Sequence, residues 1–390
     1  MKSRKRIIML LSNGFDPDPR VYNEALALVE QGYEVCVVCW NRDRGLKKPR
    51  AEDTDGIRVE RVGPRSKHNL GRSQILFLVL FWIRVFFRVL FKKIHALHCH
   101  DFDTLPIGFL LAKLKKCKLV YDSHENFSEM VRPSVGGFLT TSIKIVERRM
   151  VRLVDLTITV GEILARELLD QEARNVQVVG NWKNPSDFAF DERKLGELRE
   201  ALEISGREKL VVLYITTLNA ERKIKELMEA VQGEEDFIVI IGGKGPMEGV
   251  IRDEVKKCQN IKYLGFVNPA EIARYTAVSD VIFYGFDKDN GNAKYSAPNK
   301  LFEALAGGKA VLTGNFGEIG SIVGRFGVGL VIDDYSPSTI RNALYFFLHH
   351  PEQLRQCKQR ALVLGREVYN WDKAKNVLCR SYEEILNSRS

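Results

Sequence analysis

Cysteine is scarce in this chain and makes no pattern. Seven are scattered over 390 residues, with no C-x-x-C pair and no cysteine–histidine cluster at ligand spacing. A zinc or iron–sulfur scaffold and a disulfide framework are therefore not expected, and the thiols read as those of a reducing compartment. Long apolar runs are lacking too. The most apolar stretch, 74–93, has an uncharged part of nine residues, 75–83, against the about 20 that a membrane span needs. Lys2, Arg4, Lys5 and Arg6 lead straight into 7–11, too short for the core of an export signal. No repeat of 20–50 residues and no low-complexity segment occurs. The glycine-rich run Gly242-Gly243-Lys244-Gly245 lacks the spacing of a P-loop. No aromatic-interleaved basic patch speaks for nucleic acid.

What is present is a βαβ rhythm in both halves. Residues 7–11 form a strand, Ser12-Asn13-Gly14-Phe15 a turn, 20–31 a helix and 33–40 a second strand, so a parallel sheet is expected. Gly14 either lets a backbone pass close to a ligand or makes a plain tight turn. Residues 210–215, 237–241, 261–264, 281–283 and 310–312 supply strands of a second doubly wound domain. The polar stretch 180–187 reads as the linker. The expected domains are 1–183, joined by a final helix 371–390, and 188–370. The chain carries a net charge of +9, concentrated at the front: residues 1–120 hold 23 Lys+Arg against 12 Asp+Glu, the remainder 36 against 38. Such a front half predicts an anionic surface or acceptor. Within 74–93, Arg84, Arg88 and Lys92 recur at four-residue spacing, a cationic stripe opposite apolar bulk. That fits a helix lying on an anionic bilayer, or a buried helix covering the first sheet.

Candidate site residues fall at strand ends and at one helix start. His98, His100 and Asp101 close a strand at 96–99, and Asp122-Ser123-His124-Glu125 closes the next. Alternation places His98 and His100 on one face, but nothing completes a metal-ligand set, so no metal is expected. Residues 294–312 (KYSAPNKLFEALAGGKAVL) read as loop, helix start, helix stop and strand. Pro298 suits the first helical turn and Gly307-Gly308 the stop. The helix start gathers backbone N–H groups, the positive dipole end and Lys300, a combination that binds phosphate.

The string S-x-P-N-K-L-x-E followed by A-x-G-K-x-V resembles the donor-site motif of retaining, GT-B-type glycosyltransferases, the large group 1 family that uses UDP- or GDP-sugars. The opening S-N-x-F-x-P-D-P-R-V and the D-S-H-E segment are similar to that family's, in the same order along nearly the whole chain. The resemblance implies a GT-B fold, two Rossmann-like domains facing a central cleft, and transfer of a sugar to a lipid-linked or polysaccharide acceptor with retention of configuration. It implies that Arg222, Lys300 and the helix start hold the diphosphate, that Glu303 holds the ribose and that His124 is the active-site histidine. Tyr295, Ser296, Asn299, Gly14 and Gly243 join the donor residues, and Arg20, His100 and Asp101 the acceptor or cleft residues. Tyr295 stands where many members carry a further glutamate, and Thr217 where many carry a second arginine. Fixed cations would make a metal unnecessary, and no D-x-D pair stands at the donor motif; Asp101 and Asp103 have that spacing but fall in the first domain. No cofactor is expected beyond the nucleotide-sugar substrate; the thiols fit a cytoplasmic location, and residues 74–93 with the basic front half would place the chain peripherally on the inner face of the cell membrane. Two alternatives stay open: a nucleotide-sugar epimerase of similar fold, and a non-catalytic nucleotide-sugar-binding protein.

Overall fold

The computed structural model describes residues 4–15, 18–42, 48–66, 73–204, 209–288 and 290–388. The chain divides into unit 1, residues 1–180 with 374–390, and unit 2, residues 181–373.

Unit 1 begins with β1 (Arg6–Leu11), α1 (Pro19–Glu30), β2 (Glu34–Trp40), β3 (Ala51–Thr54) and β4 (Ile57–Val62). It continues through α2 (Gln74–Leu90), β5 (Ala96–His100), α3 (Leu105–Lys115), β6 (Lys118–Ser123), α4 (Phe127–Val135) and α5 (Gly137–Val151). It closes with β7 (Leu156–Thr159), α6 (Glu162–Asp170) and β8 (Val176–Val178). The sheet order is β3-β4-β2-β1-β5-β6-β7-β8, parallel except for β3 against β4. β1 and β2 are buried almost end to end, the continuous apolar pattern of a sheet covered on both faces. Asp18 caps α1, its carboxylate accepting from the Val21 N–H at 3.2 Å, and Pro19 opens the helix at no hydrogen-bond cost. In α1, Val21, Glu24, Ala25 and Leu28 form the inward stripe, a carboxylate included. β3 and α4 are short elements that no clear periodicity marked; α4 starts on an Asn126 cap.

Unit 2 runs through α7 (Glu192–Ala201), β9 (Leu210–Ile215), α8 (Ile224–Val231), β10 (Phe237–Gly242), α9 (Glu248–Val255) and β11 (Ile261–Tyr263). Then come α10 (Ile272–Val278), β12 (Val281–Tyr284), α11 (Asn299–Ala306), β13 (Ala310–Gly314) and α12 (Gly317–Phe326). The unit ends with β14 (Gly329–Ile332), α13 (Pro337–His349) and α14 (Pro351–Glu367). Its all-parallel sheet has the order β11-β10-β9-β12-β13-β14. The last helix, α15 (Trp371–Asn387), begins in unit 2 and has most of its length in unit 1. There Lys5 Nζ donates to the Leu386 carbonyl at 3.0 Å, and the Tyr382 hydroxyl lies 2.9 Å from His98 Nδ1. No described helix is long and apolar enough to cross a membrane. All seven cysteines are free thiols, six of them buried.

One turn in unit 2 admits only glycine. Gly243, after β10, has φ +138°, and a Cβ there would lie 1.8 Å from the Thr216 carbonyl oxygen. Gly243→Ala should therefore destabilise unit 2 by about 3 kcal/mol, read as a lower urea midpoint at unchanged slope.

Candidate active site

The strand order of unit 2 reverses between β9 and β12. Ligands of open α/β sheets bind beyond the carboxyl ends of the strands at such a reversal. The loop after β9 carries Arg222. The Tyr214 hydroxyl lies 2.8 Å from both the Arg222 and the Gly285 carbonyls, tying that loop to the end of β12. A Cβ on Gly285 would come within 2.8 Å of the Arg222 carbonyl, so the approach needs a glycine. The Arg222 guanidinium lies over the Phe286 ring, 4.3 Å from its centroid, and Nη1 donates to the Tyr284 hydroxyl at 3.2 Å. Its Nε is buried with no hydrogen-bond partner among the described residues. Aromatic faces hold this cation in place without neutralising it.

Beyond β12 the chain makes a short 3-10 turn, Ala293–Tyr295, and reaches α11. Tyr295 and Ser296 are half-buried in and just after the turn, and Asn299 is exposed at the helix start. Pro298, expected in the first turn, is the N-cap instead, extended and without a side-chain acceptor for the first N–H groups. Lys300 Nζ lies 2.5 Å from Glu303 Oε2, and the two side chains are 15% and 7% exposed. Lys183 belongs to the same cluster. Burial pulls its ammonium below the usual value, Lys300 adds to that, and Glu303 opposes it. Asp187 opposes it too, so Lys183 feels both carboxylates while Lys300 is the one paired with Glu303. Lys183 lies in the stretch read as a linker, where no periodicity marked it. Asp289, in the acidic stretch 287–292, lies outside the described residues.

Unit 1 also reverses its strand order, between β1 and β5. Gly14, grouped with the donor residues in the sequence, lies here on the loop after β1, its carbonyl accepting from Arg61 Nε at 3.0 Å. Asp16 and Pro17 of the opening motif lie outside the described residues. Register pairs His100 of β5 with Asp122 of β6, on the sheet face that α1 covers. Arg20 does not open to solvent. Its side chain is 9% exposed and grips Asp122 with two hydrogen bonds, Nε to Oδ2 at 3.0 Å and Nη2 to Oδ1 at 2.7 Å. Nη1 donates to the Val179 carbonyl at 2.6 Å, and Nη2 lies 3.0 Å from Glu24 Oε1. His124 Nε2 is 2.7 Å from Asp122 Oδ2, and its Nδ1 is 3.2 Å from Asp101 Oδ2. Asp101 itself holds φ +60°, a backbone strain met by Asp122, whose carbonyl accepts the Asp101 N–H at 2.9 Å.

These contacts set the charges. Burial alone would lower the His124 pKa, but Asp101 and Asp122 outweigh it and hold the imidazolium well above the usual range. Burial pushes Glu24 up to about 8 against Arg20, and Asp103 up to about 7 with Asp101 adding to it. Both ring nitrogens of His124 face carboxylates, a geometry that suits a fixed cation orienting a ligand rather than a group polarising a hydroxyl. Glu24, His98, His100 and Asp122 offer ligand atoms within 4.8 Å of one another, the described residues' candidate for a metal. Arg20 already lies against both carboxylates, so a dication there would sit beside a guanidinium.

The sequence profile of the "Glycosyl transferase 4-like domain" matches residues 17–182, and that of "Glycosyl transferases group 1" matches residues 197–362. The chain belongs to the group 1 glycosyltransferase family. Its two Rossmann-like units match GT-B structures. Sucrose-phosphate synthase from Thermosynechococcus elongatus superposes with a TM-score of 0.79 at 16% identity, over 98% of this chain and 99% of that one. HepE of Anabaena, in complex with UDP, gives 0.72 at 14% identity, over 97% and 100%. The catalytic domain of starch synthase IV from Arabidopsis thaliana, bound to ADP and acarbose, gives 0.70 at 14% identity, over 99% and 100%. No curated protein sequence matches the chain.

The buried acids of this family member give a pH signature. Folded Glu24 and Asp103, with Glu147 raised by burial to about 7, keep protons that the unfolded chain releases near its ordinary values of 4.5 and 3.8. Their stabilising contribution is complete below those values and is lost as pH rises through about 7–8. The melting temperature should therefore fall between about pH 5.5 and about pH 8.5, and Glu24→Gln should flatten that fall. Scanning calorimetry at both pH values checks it.

Proposed function

We propose that the chain transfers a sugar from a UDP- or GDP-sugar to a lipid-linked or polysaccharide acceptor, with retention of configuration and without a metal. The observation that carries the reading is the surplus of fixed positive charge in unit 2. Arg222, Lys300 and Lys183 lie in the segments described around the reversal of strand order and the α11 start, with Glu303 paired to Lys300 and Asp187 also acting on Lys183. In the reaction the anomeric C–O bond breaks and the nucleoside diphosphate leaves with new negative charge. Buried donors and cations already in place stabilise that charge without reorganising. Glu303, held by Lys300, is assigned the ribose hydroxyls. The acceptor hydroxyl forms the new bond on the face the leaving group vacates, as the donor-motif resemblance implies. With both ring nitrogens of His124 turned to carboxylates, the leaving phosphate oxygen is assigned as the base that takes the acceptor proton. The part assigned to His124 is to orient the donor as a fixed cation. Nucleoside diphosphates in the neighbouring structures, UDP with HepE and ADP with starch synthase IV, support a nucleotide-sugar donor.

Lys300→Ala and Arg222→Ala should each lower kcat by about 100-fold or more with the cognate donor, as loss of one oxyanion donor does elsewhere. A screen of UDP- and GDP-sugars by thermal shift finds that donor, and product NMR follows the transfer. Undiminished turnover of Lys300→Ala would remove the reading, and epimerised donor formed without acceptor would replace it.

A further inference from the structure

The α2 helix is apolar on two opposite sides. Phe81, Val85 and Val89 are fully buried, with Phe81 stacked on Trp40 of β2 at 5.2 Å. At helical spacing Leu76, Ile83 and Phe87 fall on the other side, and all are exposed, Phe87 by 64%. Phe91, just past the helix, is 88% exposed. Leu114 on the neighbouring α3 and Phe138 at the start of α5 are exposed as well. Among the described residues, 13 of the 19 exposed large apolar side chains come from residues 75–153. The helices that carry most of them adjoin one another, α2 on α3 and α3 on α5, which sets them apart from single scattered side chains.

The cationic stripe expected opposite this bulk is not there. Arg88 Nε and Lys92 Nζ close onto Glu60 Oε2 of β4 at 2.7 and 2.6 Å, so both are spent within the unit. Uncompensated charge lies at the edge of the apolar face instead. An open pocket of about 820 Å³, at the carboxyl ends of β2 and β4, is lined by Arg50, Arg61, Arg65, Arg84 and Arg88 together with Phe87, and by no carboxylate among the described residues. Arg61 is bound to Glu52, and Arg88 to Glu60. Arg50, Arg65 and Arg84 have no ion-pair partner among the described residues.

We propose that unit 1 docks on an anionic lipid bilayer, with the outer face of α2 at the acyl boundary and the arginine pocket receiving lipid phosphates. A helix with a second apolar side, opposite the one it buries in its own unit, calls for something to cover that side. At 17 residues α2 is about 25 Å long, short of the about 30 Å hydrocarbon core, and it carries two arginines, so it lies along the surface. Phe87 belongs to both the apolar face and the pocket, so one docking event would seat both. Planar guanidinium groups suit phosphate. A second copy of the chain would bring the same arginines to the contact, like against like. Unit 1 as a whole has 33 Lys+Arg against 23 Asp+Glu, where unit 2 has 26 against 27, so the positive field lies on the docking side. The inference stands apart from the donor chemistry of unit 2.

Flotation of the full chain with vesicles of phosphatidylcholine alone, or with about a third phosphatidylglycerol, tests it. Binding should require phosphatidylglycerol and weaken as sodium chloride rises. Ile83→Ser with Phe87→Ser should abolish it. Arg65→Glu with Arg84→Glu should weaken it by about 30-fold or more, at roughly fivefold for each arginine lost. All four side chains are on the surface, so the melting temperature and the shift given by nucleotide should stay as in the parent, which keeps folding and donor binding separate from docking. Equal binding to neutral vesicles, no binding to either, or a concentration-dependent dimer lost in the same serine variant would each overturn the proposal.

Discussion

Arg20 and Asp122 meet beneath the carboxyl ends of β1, β5 and β6, and the arrangement of unit 1 depends on that pair. Two hydrogen bonds join them, and both are buried. A lone buried charge costs several kcal/mol, so each holds the other in place. Asp122 then accepts from His124 and His100, and its carbonyl steadies the strained Asp101 backbone. The chain of contacts runs from α1 through the sheet, and on to α15 through His98 and Tyr382. Here positive and negative charges are nearly matched, and the acids left over keep their protons.

Unit 2 is built on the opposite balance. Its cations are held by geometry rather than by neutralising partners. Phe286 and Tyr284 fix Arg222, and Glu303 pairs with Lys300 close enough to act on the buried Lys183 as well. A site left positive in this way is ready for an anion, and a nucleoside diphosphate is the anion that the family's chemistry offers. On the proposed reading, the matched charges of the Arg20–Asp122 network form a rigid polar support, and the local surplus at the unit 2 strand ends receives the leaving group.

The fold was legible because buried parallel strands are written as unbroken apolar runs, such as Ile7–Leu11 or residues 237–241. The helix start at Asn299 was legible from Pro298 and the two glycines. The structure differed where one residue serves two patterns. Glu24 occupies an inward place in the stripe of Val21, Ala25 and Leu28, and its four-residue spacing from Arg20 was the available signal. Lys183 had none, since it sits in an aperiodic stretch and gains its meaning only from Glu303 across the fold. The stripe of Arg84, Arg88 and Lys92 was real as a spacing, but Glu60, distant in sequence, decides where two of its members point.

The central claim is that cations fixed at the carboxyl ends of the unit 2 strands, with no metal between, receive a diphosphate. Calorimetric titration of the full chain with UDP and with GDP, in buffer containing EDTA, tests that claim most directly. One of the two nucleotides should bind at a single site per chain, with an affinity that EDTA leaves unchanged and that rising salt weakens. Binding that appears only after a divalent metal is added, or no binding of either nucleotide, would contradict it.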